Sequence, residues 1–140
     1  AACVGCPMYQ AGAGWVPDEI VPNAIVFVLG QNPGFDEELE GRPFVGATGQ
    51  TMIGKYFGIA ELVRGENVSI GNAIRCRWNQ QNTLPPEKIL GAALQHCMEA
   101  HFKPPSQTRL IVAQGALAWR AMGQSTKVTE WRGFLAPKAS

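Results

Sequence analysis

Ala24-Ile25-Val26-Phe27-Val28-Leu29 runs directly into Gly30-Gln31-Asn32-Pro33-Gly34, and this junction decides the fold. A continuous apolar run of β-branched and aromatic residues predicts a strand buried on both faces, the mark of a parallel sheet. The Gly and Pro residues that follow end it as a turn. Working outward, Asn67-Val68-Ser69-Ile70-Gly71-Asn72 reads as a second strand and Thr108-Arg109-Leu110-Ile111-Val112-Ala113 as a third. Helices fall between and after them. Thr48 is placed to cap a helix running to about Gly58, with Met52, Ile53, Tyr56 and Phe57 on its apolar face. Pro86-Glu87 opens a second helix to about His101, and Gly115 to Met122 forms a short third one. The stretch from Phe35 to Gly46 reads as a long loop, acidic then apolar, and Arg75 to Pro85 as a polar loop. The order β-α-β-α-β-α predicts an α/β fold: three αβα layers with a central parallel sheet. Ligands bind such sheets beyond the C-terminal strand ends. Gly30, Gln31, Asn32 and Asn72 all fall there, so they can converge although distant in sequence.

The 140 residues fit one domain spanning 1–140 with a substantial core. With 46% apolar and 16% charged residues the chain is globular rather than disordered. A net charge of +1 excludes a strongly polycationic nucleic-acid binder, so any such site is a local patch. No apolar run approaches the ~18–20 residues of a membrane span. No basic segment followed by an apolar core marks an export signal.

Four cysteines, Cys3, Cys6, Cys76 and Cys97, form a C-x-x-C and a second, distant pair. Metal or cluster ligation, disulfides and free thiols are all open on residue type alone. A sizeable core and no export signal favour metal over disulfides, and C-x-x-C spacing suits two ligands on one centre.

At the strand ends, Gly-Gln-Asn-Pro-Gly is a turn whose small residues let backbone approach a ligand. Asn72 offers a donor and an acceptor together, which suits a nucleobase edge, though a turn role is equally open. Phe44, in the Gly/Pro-rich stretch Pro43-Phe44-Val45-Gly46, is either core or a stacking platform for a planar base.

The joint order of these pieces resembles the family 4 uracil-DNA glycosylases, the iron–sulfur branch of the uracil-DNA glycosylase superfamily. The resemblance runs through Cys3-x-x-Cys6, Gly30-x-x-Pro33-Gly34, Glu40-Gly41-Arg42-Pro43-Phe44-Val45-Gly46 and Gly49. It continues through Asn72-Ala73-Ile74-Arg75-Cys76-Arg77, Pro86-Glu87, Cys97 and Trp131-Arg132-Gly133. It covers nearly the whole chain, and Gly-Arg-Pro-Phe-Val-Gly and Asn-Ala-Ile-Arg-Cys-Arg are its most specific parts.

The resemblance implies a structural [4Fe–4S] cluster on Cys3, Cys6, Cys76 and Cys97, with zinc as the alternative for an all-thiolate site. It implies excision of uracil from DNA by hydrolysis of the N-glycosidic bond after base flipping. Phe44 would stack on the flipped base, and Asn72 would bond its edge and reject cytosine. Backbone at Gln31 and nearby, Gly30 included, would receive uracil O2. Members of the branch usually carry Glu at the place of Gln31. Related branches use Asn at the place of Asn32 to orient the attacking water. Asn32 is therefore expected as the water-positioning residue, with Gln31 contributing pocket contacts. An amide orients a water without taking its proton, so turnover slower than with a carboxylate is expected. Arg75, Arg77 and Trp78 are expected at DNA, with Arg42, Arg109, Lys127 and Arg132 as further basic residues near the site.

The third motif of the family, a His-Pro-Ser segment, is not in this sequence; His96 and His101 lie in the helix beside Cys97. The domain is therefore expected to be C-terminally incomplete, its last strand missing or truncated. A catalytically weak, glycosylase-like DNA-binding domain within a larger replication or repair protein is the second expectation. A zinc-stapled α/β domain with an unrelated ligand is the third. Thiolate ligands and the lack of an export signal imply a reducing, cytoplasmic setting.

Overall fold

The structure is a computed structural model and describes residues 2–9, 14–79, 81 and 83–124. Its elements are β1 (Gly14–Trp15), β2 (Val26–Gly30), α1 (Phe35–Glu40), α2 (Ala47–Thr51), β3 (Val68–Asn72), β4 (Cys76–Arg77), α3 (Glu87–His101), β5 (Leu110–Ala113) and α4 (Ala116–Ala121). A π-helical segment, Met52–Phe57, continues α2.

β2 is the centre of a parallel sheet of order β3-β2-β5. Its side chains alternate between two cores, as a strand requires. Phe27 and Leu29 face Leu90, Ala93 and Leu94 of α3 and Leu117 and Ala118 of α4. Val28 faces the other way, into a core with Phe44, Phe57, Val68 and Ile70. Helices thus cover both faces of the sheet, and the expected three-layer α/β fold is what the chain adopts. Fully burying each of these large side chains contributes about 1.5–3 kcal/mol.

The register places Gly30 beside Asn72 and Leu29 beside Ala113. The C-terminal ends of all three strands are therefore level with one another. Ala73 N–H donates to Gly30 O and Ile74 N–H to Gln31 O, so the turn after β2 is fastened to the chain leaving β3.

Three local readings are corrected. The stretch after Gly34 is not all loop: Phe35–Glu40 is helical. Asp36, Glu37 and Glu38 fill its first turn, where negative charge offsets the helix dipole, and Gly41 closes it at φ 68°. Thr48 does not cap the next helix. Gly46 holds that position, and its N–H donates to the Glu37 carboxylate instead. The polar loop after Asn72 contains β4, which pairs antiparallel with β1 so that Trp15 stands opposite Cys76.

Residues beyond β1 extend this arrangement. Glu19 and Ile70 exchange both backbone hydrogen bonds, and Val16 N–H donates to Arg75 O. The segment from Trp15 to Glu19 thus lies along the outer edge of β3 and β4 and pairs part of an edge otherwise open to another strand. No helix among the described residues is long and apolar enough to cross a membrane. Lys127, the Trp131-Arg132-Gly133 segment and the place expected for a last strand lie outside the described residues.

Candidate functional site

The strand ends open into a cavity of ≈ 490 Å³ whose lining includes Gly30, Gln31, Asn32, Phe44, Asn72 and Gln114. That size suits a small organic ligand. Asn72 is only 4% exposed, and its side-chain amide has no hydrogen-bond partner among the described residues. The amide lines the cavity, where a ligand or water can pair with it. The Phe44 ring meets this amide over Gly30. A Cβ at position 30 would stand 2.6 Å from Asn72 Oδ1 and 2.9 Å from the Phe44 ring, so the close approach requires glycine.

Phe44 is held from several sides. Its φ of 57° is one that side-chain-bearing residues seldom adopt, so its surroundings must enforce it. Arg64 donates to Phe44 O at 3.0 Å and to Pro43 O. Glu19 in turn holds Arg64 at 2.8 and 2.9 Å and Arg42 at 2.8 Å. Glu37 accepts the N–H groups of Gly34, Val45 and Gly46, tying the turn after β2 to the Phe44 loop. Behind the loop, a Cβ on Gly49 would lie 2.3 Å from the Phe44 carbonyl carbon, so α2 abuts the backbone of Phe44 itself.

Burial works to raise the pKa of Glu19, but Arg64 and Arg42 outweigh it and hold the carboxyl below its ordinary value of 4.5. A depressed acid stabilises the fold above its unfolded pKa and loses that contribution as pH falls through the folded value. Thermal stability should therefore decline as pH falls from about 5 into the acid range. Glu19→Gln should show a shallower decline in unfolding curves recorded across that range, from a lower starting point. Equal slopes would remove Glu19 from the account.

Asn32 lines the cavity, its Nδ2 making only a long 3.4 Å contact with Pro33 O. Gln31 is committed elsewhere. Its Oε1 accepts the Leu117 N–H at 3.2 Å, docking the first turn of α4 onto the end of β2. Gly115, at φ 89°, makes room for it, since a Cβ there would lie 3.0 Å from Gln31 Cδ.

The four cysteines line a second, small cavity together with His96 and His101. Cys6 N–H donates to Cys3 O, which curls the C-x-x-C into a turn. Cys76 comes from β4 and Cys97 from the buried face of α3. All four are free thiols. Burial, followed by the charges of Cys97, Cys3 and Cys6, pushes Cys76 up to about 11. Burial likewise raises Cys6. Crowded thiols of this kind ionise together only with positive charge among them. Arg75 supplies one such contact, donating to Cys97 Sγ at 3.4 Å. Among the described residues, no three His, Cys, Asp or Glu side chains are gathered as ligands of a single metal ion.

The family model described as the uracil DNA glycosylase superfamily matches residues 17–137. The chain belongs to that superfamily. Curated relatives carry the name Type-4 uracil-DNA glycosylase. The protein of Sulfurisphaera tokodaii is 37% identical over 87 residues, covering 62% of this chain and 38% of the relative. That of Pyrobaculum aerophilum is 31% identical over 122 residues, covering 86% and 59%. That of Thermotoga maritima is 35% identical over 135 residues, covering 94% and 67%. The chain thus spans between about two fifths and two thirds of the length of these relatives.

For a superfamily member, the expected pocket residues are well gathered. Gly30, Gln31, Asn32, Phe44 and Asn72 line one cavity, although the Gln31 side chain is bound to α4. The four cysteines line another. Two of the expected DNA contacts are corrected. Arg75 and Arg77 are 1% and 2% exposed, too deep to reach a phosphate. Arg75 is paired with Asp18; Arg77 pairs with Glu38 and lies over the Phe35 ring. Trp78 is half-buried against the core under α3 and α4. Loops rich in Arg look alike in sequence whether they face solvent or hold carboxylates inside. His96 does not line the cavity at the strand ends; its Nε2 pairs with Ala2 O at 2.7 Å beside the cysteines.

Sequence reasoning missed Asp18, Glu19, Glu37 and Arg64. Only Glu37 carried a local signal, its place three residues after Gly34 at a helix start, where a side chain can reach back to the turn.

Proposed function

We propose that this chain excises uracil from DNA. The observation that carries the reading is the Asn72 amide, lining the cavity without a protein partner among the described residues and set beside the Phe44 ring over Gly30. A flat face beside an amide offers stacking and a paired donor and acceptor, the two things that select a flipped pyrimidine. Uracil presents an acceptor at O4 and a donor at N3–H. Cytosine presents a donor amine and an unprotonated N3, so the same amide mismatches it. Asn32 holds a water toward the glycosidic carbon. Asn has no basic site, so it orients the nucleophile and leaves the proton to solvent. Backbone N–H groups of the turn after β2 stabilise charge that grows on the leaving base. Gln31 supports this turn through α4 and takes no proton.

The same reading places a [4Fe–4S] cluster on Cys3, Cys6, Cys76 and Cys97. It is supported by four thiols around one cavity with a guanidinium directed at one of them. When bound, the cluster supplies a cross-link between the N-terminal turn, β4 and α3. Cys76→Ser should bleach the visible absorbance of anaerobically purified protein. It should also lower stability by about 3 kcal/mol, roughly 10 °C in Tm. A colourless wild-type protein with stoichiometric zinc would replace the cluster with a zinc site.

The test of the base assignment is selectivity. Uracil-containing single-stranded DNA should yield free uracil, while the same strand carrying cytosine or thymine should yield no base. Equal release of cytosine would overturn the role given to Asn72.

A further inference from the structure

The side chains around Arg75 join the two cavities. Its Nε and one terminal nitrogen reach Asp18 at 3.1 and 2.6 Å, a two-pronged pair. Its other terminal nitrogen donates to Cys97 Sγ. The backbone of Asn72 lies near enough to Asp18 to favour its ionised carboxylate. Asp18 presses on the preceding residue: a Cβ at Gly71 would lie 2.2 Å from Asp18 Oδ1, a space only glycine leaves. The path from the cysteine site to the base-binding amide is therefore Cys97, Arg75, Asp18 and the Gly71-Asn72 end of β3. Each member is less than a tenth exposed by residue or side chain, so water does not screen these contacts.

We propose that the Asp18–Arg75 pair is a positioning device for base recognition, setting the Asn72 end of β3 against the frame that the cysteine site holds. The proposal rests on the uracil reading above and deepens it, because it makes base selectivity depend on residues that touch no base. A guanidinium suits the task better than an ammonium. Its planar fork grips both carboxylate oxygens and leaves a third nitrogen for the sulfur, whereas a lysine is a single point charge. Neither residue is a catalytic group. Both act through Asn72 and Cys97.

The test uses anaerobically purified full-length protein and its Arg75→Lys and Asp18→Asn variants. Affinities are measured for two single-stranded oligonucleotides. One carries 2′-fluorodeoxyuridine, which resists cleavage, and the other an abasic analogue at the same position. Metal retained per chain against a chelator is measured alongside. The wild type should prefer the uracil strand. Arg75→Lys should lose about tenfold of that preference, within the range expected for residues that transmit rather than make a contact. Its affinity for the abasic strand should stay near wild type, and its metal should be lost faster. A folded Arg75→Lys with undiminished preference would overturn the proposal. So would a parallel fall in affinity for both strands, which is the signature of general loosening. If Arg75→Lys fails to fold, Asp18→Asn decides by the same comparison. A wild type without any uracil preference would sink the base reading itself, and with it this proposal.

Discussion

Asn72→Ala should lower uracil release about a hundredfold while leaving thermal stability almost unchanged. Most buried asparagines behave otherwise, because their amides are tied to the protein and their loss strands a partner. Here the side-chain amide has no protein partner among the described residues, so truncation orphans nothing in the free protein. The orphaned groups appear only with the base bound. Uracil would then place a donor and an acceptor in a closed site with nothing opposite. Each unsatisfied buried group costs about 1–3 kcal/mol, and two together account for a factor of about 100 or more. Single-turnover excision and a melting curve on the same preparation decide the matter. Loss of activity with a fall of many degrees in Tm would mean that Asn72 holds the fold rather than the base.

Gly49→Ala should cost about 1–3 kcal/mol of stability and weaken uracil binding at least tenfold, the range seen when a methyl is forced into a packed site. The added carbon has no flexible side chain to displace. Its nearest neighbours are the carbonyl carbon, Cα and carbonyl oxygen of Phe44, at 2.3 to 2.5 Å. Either α2 retreats or the Phe44 backbone leaves its left-handed conformation. In both cases the ring moves relative to Asn72 and the stacking face is lost. Gly54 provides the control, since a Cβ there meets nothing within 4 Å. Gly54→Ala should leave binding unchanged and stabilise by about 0.5–1 kcal/mol through helix propensity. Urea unfolding and binding of an uncleavable uracil strand measure both effects. A Gly49→Ala variant as stable as the wild type, with normal binding, would mean that Phe44 is not fixed by its backbone.

Much of this arrangement was legible before any coordinates. The unbroken run into Gly30 announces a buried parallel strand, because a strand covered on both faces carries apolar residues in succession, as Phe27, Val28 and Leu29 do here, while Ile25 before the strand stays exposed. Strand polarity then sends Gly30, Asn32 and Asn72 to one end of the sheet, which is where the cavity lies. What stayed hidden are partnerships between distant residues. Nothing in Pro17-Asp18-Glu19 says that one carboxylate will hold Arg75 and the other Arg64. Arg75 and Arg77 flank a cysteine in a polar stretch and read as surface charge. Burial is decided by the short pairing of β1 with β4, two residues a side and too brief to leave a pattern. Gln31 misled for a related reason: its position at the strand end was right, but its side chain satisfies the start of α4.

The central claim is that the cavity between Phe44 and Asn72 takes uracil out of DNA. Its most direct test is release of free uracil from a uracil-containing single-stranded oligonucleotide by anaerobically purified protein, beside Asn32→Ala and Asn72→Ala. The wild type should give uracil in solution and an alkali-labile strand, and each variant should lose both. A folded, metal-loaded wild type that releases no uracil, or variants that release it as fast, would contradict the claim.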